Sequence, residues 1–357
     1  MKLLLIVLLL SGILSVQPGS LHAQRKKEKK EKKEKVNTSG NFTIEQLAPN
    51  VWAAIHNDNY GKAICNAAII DLGDKTVVFD PFMTPSAAVE LREIARQLTN
   101  KNYAYVVNSH YHNDHIRGNQ AFLPNATIIS TTTTRDQIER NEPGEQEWEK
   151  KHAPTLLAAI RKRMANANET ERAELPYWIG YYEGILESSD QLFTALADET
   201  FNDSLWIVGK DMSVKLIECK NGHTMSDVVM LIPNLGIAFM GDLLCTERHP
   251  WISDGDIDGW QSSLKLFYED TLYHTYVPGH GKVSNKQSLK ILYDYLGEIR
   301  DMCDNAQTDS AQEELINQPI PDPYKSWFCG RFYQPNLQYL ISIAKARRPA
   351  GTMKPNE

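Results

Sequence analysis

Ser109-His110-Tyr111-His112-Asn113-Asp114-His115 gathers three of the chain's ten histidines into one short segment. It follows Tyr103–Asn108, a β-rich run that reads as a strand. In extended backbone alternate side chains share a face, so His110, His112 and Asp114 are expected to converge on one point, with His115 reaching a second. One loop thus offers four nitrogen and oxygen donors of the kind zinc prefers. A His-x-His-x-Asp-His run at a strand end is far more specific than a merely polar loop.

Four donors do not close two tetrahedral sites, so this reading demands more donors downstream. Gly222-His223-Thr224 follows the strand-like run Ser213–Glu218, Gly241-Asp242 follows Ile237–Met240, and Gly279-His280-Gly281 follows Tyr273–Val277. Each donor adjoins a glycine at a strand end, where the missing side chain lets the backbone turn closely. The rest of the chain alternates short strand-like and helical runs. Val51–Asn57, Ala63–Leu72, Thr76–Asp80, Thr127–Thr132, Leu205–Val208 and Asp227–Ile232 read as further strands. Helices are expected from Pro85, near Trp260–Tyr268 and from Gln287 to about Met302. Residues 135–197 are long, charged and helix-periodic, and read as an insertion within the domain. Many strands with interspersed helices imply packed sheets with helices outside.

These motifs resemble those of the metallo-β-lactamase superfamily, over roughly Val51 to Leu296. The resemblance implies an α+β fold, a four-layer αβ/βα sandwich with metals at one edge between the sheets. It implies a first zinc at His110, His112 and His223, a second at Asp114, His115 and His280, and Asp242 bridging them. Asp80, ending its strand, matches the aspartate that the family places behind its metal ligands. Two metals about 3.5–4 Å apart share a water whose pKa falls towards neutrality, giving a hydroxide nucleophile. Asp114, both ligand and acid–base group, is the catalytic residue expected to orient it or shuttle its proton. The implied function is an exported di-zinc hydrolase of an ester, thioester, lactone or amide in a small-molecule substrate. Manganese or iron would also suit imidazole and carboxylate. Asp242 stands where one group of true β-lactamases carries cysteine and another serine, which favours the Asp-bridged general hydrolases. A β-lactamase and a non-catalytic metal-binding scaffold are the alternatives, although all seven ligands are present.

The chain has 357 residues, 42% hydrophobic and 23% charged, with a formal net charge of −7. That is globular composition, and the acidic balance argues against a nucleic-acid partner. Leu3–Val16, behind Lys2, is an apolar run too short for the ~20 residues of a membrane helix. With Pro18, Gly19 and Leu21-His22-Ala23 after it, residues 1–23 read as a signal peptide, giving a periplasmic or secreted protein without a transmembrane span. Residues 24–40 form a basic low-complexity linker containing Arg25–Lys35, a solvated tether whose second reading is weak contact with an anionic membrane surface. The catalytic domain is set at 41–310, followed by a C-terminal extension at 311–357.

Five cysteines leave at least one thiol free, and Cys303–Cys329 is the first pair to consider. His249 and Tyr111 are candidate walls of the substrate cleft, with Trp251 and Trp260. Cys245 is expected on the opposite face. Arg117 reads as a surface salt bridge, with contact to an anionic substrate as the alternative. Asp254-Gly-Asp256-Ile-Asp258-Gly259 imitates a calcium loop, but Lys265 occupies the position of the bidentate glutamate, and Asp258 is expected to cap the next helix.

Overall fold

The computed structural model describes residues 39–347. The apolar run Leu3–Val16 and the basic run Arg25–Lys35 lie outside the described residues. So does the end of the C-terminal extension. No helix among the described residues is long and apolar enough to cross a membrane.

Twelve strands among the described residues form two sheets. In the first, β1 (Phe42–Ala48), β2 (Val51–His56), β3 (Ala67–Asp71) and β4 (Thr76–Phe79) pair as an antiparallel meander. Strands β5 (Ala104–Val107), β6 (Ala126–Thr131) and β7 (Glu199–Phe201) then extend it in parallel. The second sheet has the order β12 (Thr275–Val277), β11 (Ile237–Phe239), β10 (Ser226–Ile232), β9 (Ser213–Lys220), β8 (Ser204–Val208). The inner faces of the two sheets share one core, with Val51, Ile70, Phe79 and Val107 against Leu216, Val228, Met230 and Phe239. Helix α1 (Pro85–Thr99) covers the outside of the first sheet through Ala87, Ala88, Leu91 and Ala95. Thr84 caps it, with Pro85 in its first turn. The second sheet is covered by α4 (Ile257–Glu269) and α5 (Lys286–Asn305), and by α6 (Asp309–Asn317) and α7 (Tyr333–Arg347) from the C-terminal segment. The layers are therefore helix, sheet, sheet, helix, the expected sandwich.

Helices α2 (Thr132–Met164) and α3 (Glu169–Ser188) form the insertion and pack on each other. They also pack on Ile64, Met83 and Cys329, so they stand over one end of the sandwich. Four details differ from expectation. Helix α4 is capped by Asp256, whose Oδ1 accepts from the Gly259 N–H at 2.9 Å, while Asp258 instead pairs with Arg300 at 2.7 Å. The five cysteines are all buried free thiols, so Cys303 and Cys329 are unpaired. Strand β1 and the short β7 carry too little pattern to stand out in the sequence.

Arg117 is the fourth difference. It is buried, with Nε 2.6 Å from Glu142 and Nη1 2.6 Å from Glu149, both on α2. Glu149 and the nearby Glu145 accept from Asn113 Nδ2 at 3.0 and 2.8 Å. The pair is thus an internal tie between the insertion and the histidine-rich loop. Removing one partner leaves a buried charge uncompensated. Arg117→Ala should therefore cost about 3–5 kcal/mol, read from urea unfolding of the purified chain. A loss under about 1 kcal/mol would reduce the tie to a surface-like pair.

Among the described residues no cation stands within ion-pair distance of Glu145. Burial raises its pKa, Arg117 opposes this, and Glu149 and Glu142 add to the rise, to about 7. In the unfolded chain it ionises near its usual value, so the native state holds the extra proton between those limits. Stability should then fall as pH rises from roughly 4.5 to 7. Glu145→Gln should remove that decline, making chelator-treated protein more stable at pH 8 by on the order of 1–3 kcal/mol. Parallel stability curves for the two proteins between pH 5 and 8 would contradict it.

Candidate metal centre

The donors arrive at one edge of the sandwich, from the C-terminal ends of β5, β9, β11 and β12. Beyond β5 the chain is not extended throughout. His112 is extended, with φ −63° and ψ 146°, but Asn113–Ile116 forms a single helical turn. Alternation therefore fails after His112. Asp114 and His115 leave the same turn and join the same donor group, where extended backbone would have separated them.

Two groups result, each with ligand atoms within 4.8 Å of one another: His110, His112, His223 and Asp242, and Asp114, His115 and His280. Asp242 reaches both groups. Its Oδ2 lies 3.6 Å from His223 Nε2 and 3.2 Å from His280 Nε2, and its Oδ1 3.2 Å from His115 Nε2. Asp114 Oδ2 stands 3.3 Å from His280 Nε2 and 3.5 Å from His115 Nε2. Gly279 is required here, because a methyl group at its Cα would overlap Asp242 Oδ1. Gly241, at φ +51°, sits against Ser109 in a backbone conformation that side-chain-bearing residues rarely adopt.

The outward ring nitrogens of His110, His112, His115 and His280 are held, whereas His223 Nδ1 is buried without a hydrogen-bond partner. Asp80 Oδ2 lies 2.9 Å from His115 Nδ1, and its Oδ1 accepts from the Ser109 N–H at 2.7 Å. Ser109 Oγ holds His110 Nδ1 at 2.8 Å, the Ile64 carbonyl meets His280 Nδ1 at 3.2 Å, and Asp254 meets His112 Nε2 at 3.2 Å. Fixing one ring nitrogen aims the other, as in metal sites generally. The aimed atoms His110 Nε2, His115 Nε2 and Asp242 Oδ1 are buried and have no hydrogen-bond partner. Buried polar atoms left unpaired are costly, and lone pairs converging on shared points fit cations. The donor set, five imidazoles and two carboxylates, therefore suits a dinuclear metal site.

Electrostatics match this arrangement. Burial opposes ionisation of Asp114, but His115 and His280 outweigh it and hold the carboxyl down at about 2. Burial alone would lower His280, yet Asp242 and Asp114 raise it to about 9. His223, deeper against Trp260, is lowered by burial to about 3.

A cavity of about 600 Å³ opens on Asp114, Asp242 and His280. Tyr111 and Trp251 line it, as expected, whereas Trp260 is wholly buried core. His249 borders the cavity, but its ring nitrogens are engaged by Tyr295 Oη at 2.8 Å and the Tyr324 carbonyl at 3.2 Å. Cys245 lines the cavity beside His280 instead of facing away, because the chain turns after Asp242 in place of continuing as a strand. The insertion adds Glu145, Tyr177, Trp178 and Tyr181, and the C-terminal segment adds Arg331 and Phe332. None of these had a sequence signal, since periodicity places them on helices without saying what the helices cover. Asp254 is different. It lay in the false calcium loop, and its proximity to His112 comes only from folding.

The comparisons agree with this geometry. No curated protein matches the chain. Among solved structures, a metallo-beta-lactamase from Pontibacter korlensis superposes with a TM-score of 0.52 at 14% identity, covering 72% of this chain and 99% of that one. The metallo-beta-lactamase FIM-1 from Pseudomonas aeruginosa, solved in its mono-zinc form, gives 0.53 at 13% identity, covering 74% and 98%. At such identities the likeness shows the fold alone. The model of the metallo-beta-lactamase superfamily matches residues 60–280, from the turn after β2 to the last of the seven donors. The chain belongs to the metallo-beta-lactamase superfamily.

Proposed function

We propose that this chain is an exported di-zinc hydrolase that cleaves an ester, thioester, lactone or amide bond in a small molecule. The observation that carries the reading is Asp242, set between two buried donor groups whose free lone pairs face one another. His110, His112 and His223 would hold one ion and Asp114, His115 and His280 the other, with Asp242 between them. Zinc ions there would polarise a carbonyl and make water a nucleophile near neutral pH. The chain's own residues do the rest. Asp80, Ser109 and Asp254 fix the rings, so the centre needs no rearrangement when a substrate enters. Asp114 Oδ2, which stands 3.3 Å from His280 Nε2 at the edge of the cavity, would be the acceptor for the proton that the attacking water releases. Export rests on the signal-like residues 1–23 alone.

Asp242, where one group of true β-lactamases has cysteine, favours esters, thioesters and lactones over β-lactams. Metal analysis after purification with zinc should give about two ions per chain, and fewer than about one would undermine the di-zinc reading. A panel of an aryl ester, an acyl-homoserine lactone, a glutathione thioester and a cephalosporin should show turnover of one of the first three above the fourth. For the best of these, Asp114→Asn should lower kcat/KM by about 10²–10⁴-fold. Unchanged activity would remove Asp114 from the reaction.

A further inference from the structure

The walls of the cavity carry a charge that its chemistry does not use. Of its acids, Asp114 and Asp242 belong to the donor groups. Asp254 accepts from Trp251 Nε1 at 2.8 Å and meets His112, and Glu145 accepts from Asn113. Its two guanidinium groups are less well matched. Arg248 is 8% exposed, with Nη2 2.5 Å from Asp58 and its carbon 4.5 Å from the Phe328 ring centre. Its buried Nη1 has no hydrogen-bond partner. Arg331 is exposed and lies over the Trp178 ring, 4.4 Å from its centre. Among the described residues no carboxylate stands within ion-pair distance of it; its polar neighbour is Tyr182.

Arg331 is held where it is. Glu174 on α3 accepts from Trp178 Nε1 at 2.8 Å and from the Gly330 N–H at 3.1 Å, fixing the ring and the backbone next to Arg331 together. Cys329 adopts φ +59°, turning the chain sharply at that point. The Phe328 N–H donates to the Glu247 carbonyl and the His249 N–H donates to the Phe328 carbonyl, each at 2.9 Å. The segment carrying Arg331 is thereby stitched to the loop carrying Arg248. Both cations face a cavity with aromatic walls from Trp178, Tyr177 and Phe332.

A ligand that fills this space strips water from the exposed Arg331 guanidinium and closes off the buried Arg248, whose Nη1 lacks a partner. A neutral one gives nothing back, whereas an anion compensates the lost hydration with charge-assisted hydrogen bonds. The aromatic faces meanwhile favour a flat or apolar body. We propose that the substrate carries a carboxylate on an aromatic or similarly apolar body, and that Arg331, with Arg248, selects it. This deepens the hydrolase reading and rests on it for the word substrate, but binding itself can be tested apart from turnover.

The test uses the metal-loaded full chain and two ketones that cannot be hydrolysed at an ester bond, 4-acetylbenzoate and neutral 1,4-diacetylbenzene. Titration calorimetry should show the acid binding about tenfold more tightly. Arg331→Gln should erase most of that preference and Arg331→Lys should retain part of it, because lysine keeps the charge but not the planar stacking on Trp178. In parallel, the ratio of kcat/KM for monomethyl terephthalate to that for dimethyl terephthalate should fall about tenfold in Arg331→Gln, through KM. Equal binding of the two ketones, no measurable binding of the acid, or an intact preference in Arg331→Gln overturns the proposal. If the binding preference holds and neither ester is turned over, the anion site stands and ester hydrolysis fails. If the esters are hydrolysed without preference, the reverse is true.

Discussion

Asp242 enters a buried space in which three imidazoles from three different strand ends approach within 3.2–3.6 Å. Without positive charge between them, carboxylates and unpaired imidazole nitrogens crowded at such distances away from water are costly. The fold is organised to enforce that crowding. β11 delivers Asp242 between β10 and β12, and the pairing of β11 with β12 brings His280 alongside. Across the sandwich, β5 delivers the loop with four donors, and the shared inner core holds the two sheets in register. The Val228 N–H donates to the Ser109 carbonyl at 2.7 Å, so the two halves touch directly beneath the centre.

Much of this is legible in the sequence because donors at strand ends are a local signal. A strand must stop, a glycine must allow the turn, and a side chain with the right atom must follow; all three can be read at residues 222–223, 241–242 and 279–280. The positions of the main strands follow for the same reason. What fails is anything set by a single turn or by distant packing. The helical turn at Asn113–Ile116 defeats simple alternation, and Asp256 takes the cap from Asp258, two residues away. Arg117 is buried because α2 brings Glu142 and Glu149 to it, and no local pattern announces that.

The same division separates chemistry from recognition. The donors lie on the strand ends of the matched region, whereas the aromatic and cationic wall comes from α3, from the loop after Asp242 and from the segment Phe328–Phe332. Those elements are joined to one another by Glu174, by the Phe328 backbone and by packing of Trp178 on Phe332. The wall is thus joined as a unit, and it meets the metal-binding loop through Tyr181 Oη on α3, which accepts from Asn113 Nδ2 at 2.9 Å.

Strands β6 and β7 run parallel, and two parallel neighbours cannot be joined by a tight hairpin. Some excursion out of the sheet is obligatory at that point, and α2 and α3 are that excursion, grown long. Its two ends are fixed by the ladder between Ile129–Thr131 and Glu199–Phe201, while its middle is free of the sheet's hydrogen bonds. A connection of this kind can be lengthened, shortened or exchanged without shifting a strand register. In this chain the part of the cavity wall formed by Tyr177, Trp178 and Tyr181 therefore rides on a connection outside the strand ladders, tied to the donor-bearing loop by side chains alone.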